Sequence, residues 1–160
     1  PLTNPAGARA GVFGVFSPQL VRTIADALVA LGARRAYVVH GAHGIDELSP
    51  AGPNMVCEVV DGRVHERTID PRDLGLERCS PGELTGGTPE DNARMAHEVL
   101  SGVHGGKRDA VVLNAAGAMA AGGHAADLAE GIHLAAAAID SGRAGERLEE
   151  LVAFSTDGGA

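Results

Sequence analysis

The chain alternates short apolar runs with amphipathic stretches, and Gly and Pro punctuate the changes between them. Val12, Phe13, Val15 and Phe16, set around Gly11 and Gly14, predict a first strand within residues 9–16. Ser17-Pro18 then reads as a helix start, with Ser as N-cap and Pro at the first helical position. Leu20, Val21, Ile24, Leu28 and Leu31 would share one face of that helix, which Gly32 closes. The run Ala36-Tyr37-Val38-Val39 has the length and composition of a strand buried on both faces. The opening is therefore one βαβ unit.

Past a turn-rich connector at residues 49–54, two β-prone runs at 55–60 and 63–69 flank Asp61-Gly62, a strong hairpin signal. Residues 71–84 read as loop and short turns, with Ser80 and Glu83 spaced as a capping box around Pro81. Thr88-Pro89-Glu90-Asp91 opens a helix reaching about Ser101. The run from Arg108 to Asn114 predicts a further buried strand, followed by a small-residue segment at 115–123. An Ala-rich helix at 126–140 ends at Ser141-Gly142, and an amphipathic helix at 143–154 would turn Leu148, Leu151 and Val152 inward. The expected class is α/β: a mainly parallel sheet with one antiparallel hairpin and flanking helices. One domain is expected over residues 1–155, with a disordered tail at 156–160.

The loop after Val39 holds two glycines and two histidines and ends on the adjacent carboxylates Asp46 and Glu47. Ligands of open α/β sheets bind outside the carboxyl ends of strands, where this loop falls. Adjacent carboxylates can hold a hard cation such as Mg²⁺, which prefers oxygen donors and bridges to substrate phosphates; a solvated acidic turn is the alternative. His40 and His43 lack the spacing of a zinc site and read as scaffold. Asn114 would orient the neighbouring loop, by satisfying backbone groups there or by contacting a ligand. His65, His97, His104, His124 and His133 read as surface residues.

Composition narrows the partners. A net charge of −8, with Lys107 the single lysine beside twelve scattered arginines, argues against nucleic acid or an anionic membrane. Cys57 and Cys79 lack disulfide-framework or metal-knuckle spacing and read as reduced, which suits a cytoplasmic location. No secretory signal and no run of membrane-spanning length is expected. No Ser or Cys has a convincing partner base, so no covalent nucleophile is expected.

Four stretches in register resemble anthranilate phosphoribosyltransferases. They are Pro1-Leu2-Thr3-Asn4-Pro5-Ala6; Val39-His40-Gly41 through Gly44-Ile45-Asp46-Glu47; Arg108 through Leu113-Asn114-Ala115-Ala116-Gly117; and Ala138-Ile139-Asp140-Ser141-Gly142. The resemblance implies the large α/β domain of the nucleoside phosphorylase and phosphoribosyltransferase superfamily, incomplete here. It also implies transfer of the phosphoribosyl group of phosphoribosyl pyrophosphate (PRPP) to anthranilate in tryptophan biosynthesis. Asp46 and Glu47 match the family's Mg²⁺-holding pair; His43 departs from a position more often acidic. Asn4 and Pro5 would shape the floor under a substrate tunnel. By the same resemblance, the family's glycine-rich diphosphate loop and the helical domain that forms its homodimer lie upstream of Pro1. These 160 residues are then expected to be inactive alone. Two alternatives are a pyrimidine nucleoside phosphorylase-like enzyme, which should lack the His40 to Glu47 pattern, and a non-catalytic remnant acting as a binding or structural module.

Overall fold

The computed structural model describes residues 7–156. Strand β1 (Ala10–Gly14), helix α1 (Gln19–Ala30) and strand β2 (Arg35–His40) form the expected βαβ unit, with β1 and β2 parallel. The Ser17 hydroxyl bonds the Gln19 side chain instead of capping α1. Val21, Ala25 and Leu28 are buried, whereas Leu31 lies at the C-cap and is exposed. Strands β3 (Asn54–Val60) and β4 (Arg63–Ile69) pair as the predicted hairpin. Its turn residues Asp61 and Gly62 both take positive φ, the requirement of a two-residue type I′ turn.

The sheet order is β1-β2-β3-β4, and β3 runs antiparallel to β2 as well as to β4. The α/β class, the hairpin and the flanking helices are as expected, but the sheet is mixed: one of its three pairings is parallel. The strand expected at Arg108–Asn114 is instead part of helix α3 (Gly106–Ala121). A short apolar run does not distinguish a buried strand from a buried helix. The burial pattern does. Val112 and Leu113 are both buried, as are Ala116, Gly117, Ala120 and Ala121, while Val111 is exposed. That is a helical stripe, not an alternation.

Helix α2 (Pro89–Leu100) precedes α3, with Thr88 and Asp91 forming a capping box, and α4 (Leu128–Asp140) follows it. Single 3-10 turns occupy Pro71–Leu74 and Pro81–Leu84; in the second, the Ser80 N–H donates to Glu83 at 2.7 Å. Strand β2 is buried on both faces. Ala36 and Val38 pack with α1, while Tyr37 and Val39 pack with α3 and α4 through Leu113, Ala116 and Ile132. Small residues let α3 and α4 approach closely: a Cβ on Gly131 would stand 2.7 Å from the Ala116 carbonyl oxygen.

Helix α5 (Arg143–Thr156) corrects two expectations. It extends through Thr156, the first residue of the expected tail; residues 157–160 lie outside the described residues, as do Asn4 and Pro5. None of its residues is fully buried: Leu148 is half-buried, and Leu151, Val152 and Phe154 are exposed. Among the described residues no helix is long and apolar enough to cross a membrane.

Candidate functional site: a carboxylate loop seated on glycines

The loop bearing Asp46 and Glu47 leaves β2 at His40 and makes one 3-10 turn at Ala42–Gly44. His43 takes φ 65°, in the left-handed region that His tolerates better than bulkier residues. The Gly41 N–H donates to the Ile45 carbonyl at 2.8 Å, folding the loop back on its own start. The fold-back requires glycine, because a Cβ on Gly41 would lie 2.2 Å from the Glu47 carbonyl oxygen. From β1, Gly14 receives the Asp46 carbonyl even more closely. With both backbone carbonyls seated on glycines, the Asp46 and Glu47 residues remain exposed.

The loop exit is tied to the core. Asn114 on α3 accepts a hydrogen bond from the Leu48 N–H at 3.0 Å, and its Nδ2 donates to the carbonyls of Leu48 at 2.8 Å and Ala110 at 2.9 Å. The next residue, Ser49, donates its N–H to Asn54 Oδ1 at 2.7 Å, and the fully buried Asn54 amide returns a bond to the Ser49 carbonyl at 3.0 Å. His40 Nδ1 lies 2.8 Å from the Val15 carbonyl. A carbonyl can only accept, so that nitrogen carries the proton and the ring braces the β1–β2 ends as scaffold. Asn114 thus satisfies backbone groups at the loop exit, as one of the expected readings has it, and His43 stays at the loop surface.

Asp46 and Glu47 line one wall of a cavity of about 620 Å³. Leu84, Met95 and Val99 supply apolar lining, and Asn92 and Lys107 are its other polar members. Lys107 sits in the first turn of α3 and donates to the Glu83 carbonyl. The apolar run after it reads as a strand in the sequence, and that hides Lys107. Its being the lone lysine is the available signal.

The donor set decides which metal could sit here. Among the described residues, no three His, Cys, Asp or Glu side chains converge as a metal cage, which rules out a closed structural zinc site there. Two adjacent exposed carboxylates fit magnesium, which keeps waters and shares substrate phosphate oxygens. The remaining groups are quiet. Cys57 and Cys79 are free, and burial pushes both thiols up, away from the reactive thiolate. His65, His97, His104, His124 and His133 are exposed, as expected.

A mixed sheet with a carboxylate loop at its strand ends hosts many chemistries, so the class comes from comparison. The family model described as the glycosyl transferase family, a/b domain, matches residues 1–145, and the chain belongs to that family. More particularly, it is 51% identical over 155 residues to the anthranilate phosphoribosyltransferase of Pelotomaculum thermopropionicum, covering 97% of this chain and 45% of that protein. The crystal structure of the Thermus thermophilus anthranilate phosphoribosyltransferase superimposes with a TM-score of 0.88 at 46% identity, covering 96% of this chain and 45% of the other. The Saccharomyces cerevisiae enzyme in complex with PRPP and Mg superimposes with a TM-score of 0.76 at 29% identity, covering 86% and 40%. The chain thus spans about 45% of the length of the first two.

Proposed function

We propose that this chain forms the metal-holding wall of an anthranilate phosphoribosyltransferase, a pentosyltransferase of tryptophan biosynthesis that moves the phosphoribosyl group of PRPP onto anthranilate. The observation that carries this is the Asp46–Glu47 loop, seated on Gly14 and Gly41 and opening onto the largely apolar cavity. Likeness to the yeast enzyme, whose structure holds PRPP and Mg, supports the substrate and the ion.

The reaction is a substitution at the anomeric carbon: diphosphate departs, and the aromatic amine of anthranilate takes its place. When bound, Mg²⁺ would neutralise charge gathering on the leaving diphosphate oxygens. Asp46 and Glu47 would hold the ion as oxygen ligands and would not act as general bases. Their backbone is fixed before substrate arrives, so little reorganisation accompanies charge development. We assign Cys57 and Cys79 to a reducing compartment and the enzyme to the cytoplasm, and we place homodimerisation outside these 160 residues.

The test is loss of anthranilate fluorescence on mixing with PRPP and Mg²⁺. The 160-residue polypeptide should show no turnover, because a diphosphate needs a backbone cradle that the Asp46–Glu47 loop does not supply. A complete enzyme carrying these residues should turn over. Phosphorolysis of a pyrimidine nucleoside by that enzyme, with no loss of anthranilate, would replace this reading.

A further inference from the structure

We infer that Asn114 is a positioning residue for the carboxylate pair: its carboxamide clamps the backbone of Leu48, immediately after Glu47, and so sets where both carboxylates stand. The loop has three fixed points. At its start the Gly41 N–H bonds Ile45, and at its end Ser49 and Asn54 exchange two bonds. Between them, both backbone polar groups of Leu48 bond to one side chain, Asn114.

The bonding capacity of that side chain is well used. Both Nδ2 hydrogens have carbonyl partners, at Leu48 and Ala110, and Oδ1 accepts from the Leu48 N–H. No other side chain of that size matches this pattern: Asp offers oxygen to two carbonyls, Leu offers nothing, and Gln places the amide one methylene farther out. The clamp is rigid on both sides. Asn114 lies mid-way along α3, whose neighbours Leu113 and Ala116 are fully buried, and Leu48 is itself 1% exposed in the same core. Asn is a weak helix former whose side chain competes with the backbone. Here the side chain is directed to a loop 66 residues away in sequence.

This inference rests on the reading of Asp46 and Glu47 as metal ligands, and the experiment separates the two. Asn114→Asp, Asn114→Gln and Asp46→Ala are built into a complete enzyme carrying these residues. Three readouts follow: hydrogen exchange at the Leu48 amide, Mn²⁺ binding by electron paramagnetic resonance in the presence of inorganic diphosphate, and the Mg²⁺ dependence of turnover. Partners behind a metal ligand typically change metal affinity about 10–100-fold. Asn114→Asp should therefore speed Leu48 exchange and weaken Mn²⁺ binding about tenfold, with the half-saturating Mg²⁺ rising in parallel. The KM for anthranilate at saturating Mg²⁺ should stay unchanged. Asn114→Gln should fall between the wild type and Asn114→Asp, and it carries the test if the Asp variant does not fold. Faster Leu48 exchange with unchanged Mn²⁺ and Mg²⁺ dependence would make the clamp purely structural and overturn the inference alone. Unchanged Mn²⁺ binding in Asp46→Ala would overturn the metal reading and the inference with it.

Discussion

Gly14 and Asp46 touch through their backbones: a Cβ at position 14 would stand 1.5 Å from the Asp46 carbonyl oxygen. Gly14 has no positive φ, so the demand for glycine here is purely spatial. Gly14→Ala must therefore push the loop off β1. Overpacking of this kind costs about 1–3 kcal/mol. A lower melting temperature and a higher Mg²⁺ requirement are expected together. Gly11→Ala in the same strand is the control, because its Cβ would meet only the Phe13 ring at 3.4 Å, an ordinary contact. Equal behaviour of the two variants would contradict this picture of the seat.

Removing either carboxylate should affect chemistry and spare the fold. Losing one preorganised electrostatic contact typically costs about 2.7–4 kcal/mol of transition-state stabilisation, or roughly 10²–10³ in rate. Both residues are exposed, and such substitutions usually change stability by less than about 0.5 kcal/mol. Asp46→Ala and Glu47→Ala, in a complete enzyme, should slow turnover and raise the Mg²⁺ requirement at constant melting temperature. His43→Asp adds charge to the same loop and should alter Mg²⁺ dependence more than stability. Normal rates for both alanine variants across a magnesium titration would reduce the pair to a solvated turn.

The acid limb of stability should report Asp70. Hydrogen bonds from Arg72, then Arg78, hold its carboxyl well below the usual carboxylate range. It also caps the turn at Pro71–Leu74 through the Arg72 N–H at 3.1 Å. A depressed folded-state pKa contributes stability above the unfolded value, near about pH 4, and loses it as the pH falls further. Asp70→Asn should therefore melt lower than wild type by a constant margin between about pH 5 and about pH 8. The margin should shrink below about pH 4. A margin independent of pH down to about 2 would show that the pairs do not favour the ionised form.

Packing should outweigh helix propensity at Gly131. Replacing a mid-helix Gly by Ala gains about 1 kcal/mol in an exposed helix. At Gly131 the new Cβ would press on the Ala116 carbonyl oxygen and Cα at 2.7 and 2.8 Å, both backbone atoms on the facing helix. Neither yields easily, so Gly131→Ala should destabilise by about 1–3 kcal/mol in chemical denaturation. Gly145→Ala in α5 should be neutral or stabilising, since its Cβ would meet only the Leu100 carbonyl at 3.9 Å. Stabilisation at both positions would show that α3 and α4 can separate at little cost.

Local signals settled the parts of this protein that local chemistry controls. Asp61-Gly62 marked the hairpin because its turn needs two positive φ values, and Thr88-Pro89 with Asp91 marked α2 because side chains and a fixed φ satisfy a helix start. The carboxylate loop was legible too, since two acids after a buried strand end in a recognisable order. Tertiary structure decided the rest. Val111, Val112 and Leu113 form an apolar run of either period, and only packing against α4 and β1 makes them helical and limits the sheet to one parallel pair. Helix α5 has an amphipathic pattern, yet a pattern does not supply a partner surface, and Leu151 and Val152 stay exposed. Gly14 and Asn114 carry no local mark of their purpose. One is needed as the seat for a carbonyl 32 residues away and the other as the clamp of a backbone 66 residues away, contacts that exist only once the chain has folded.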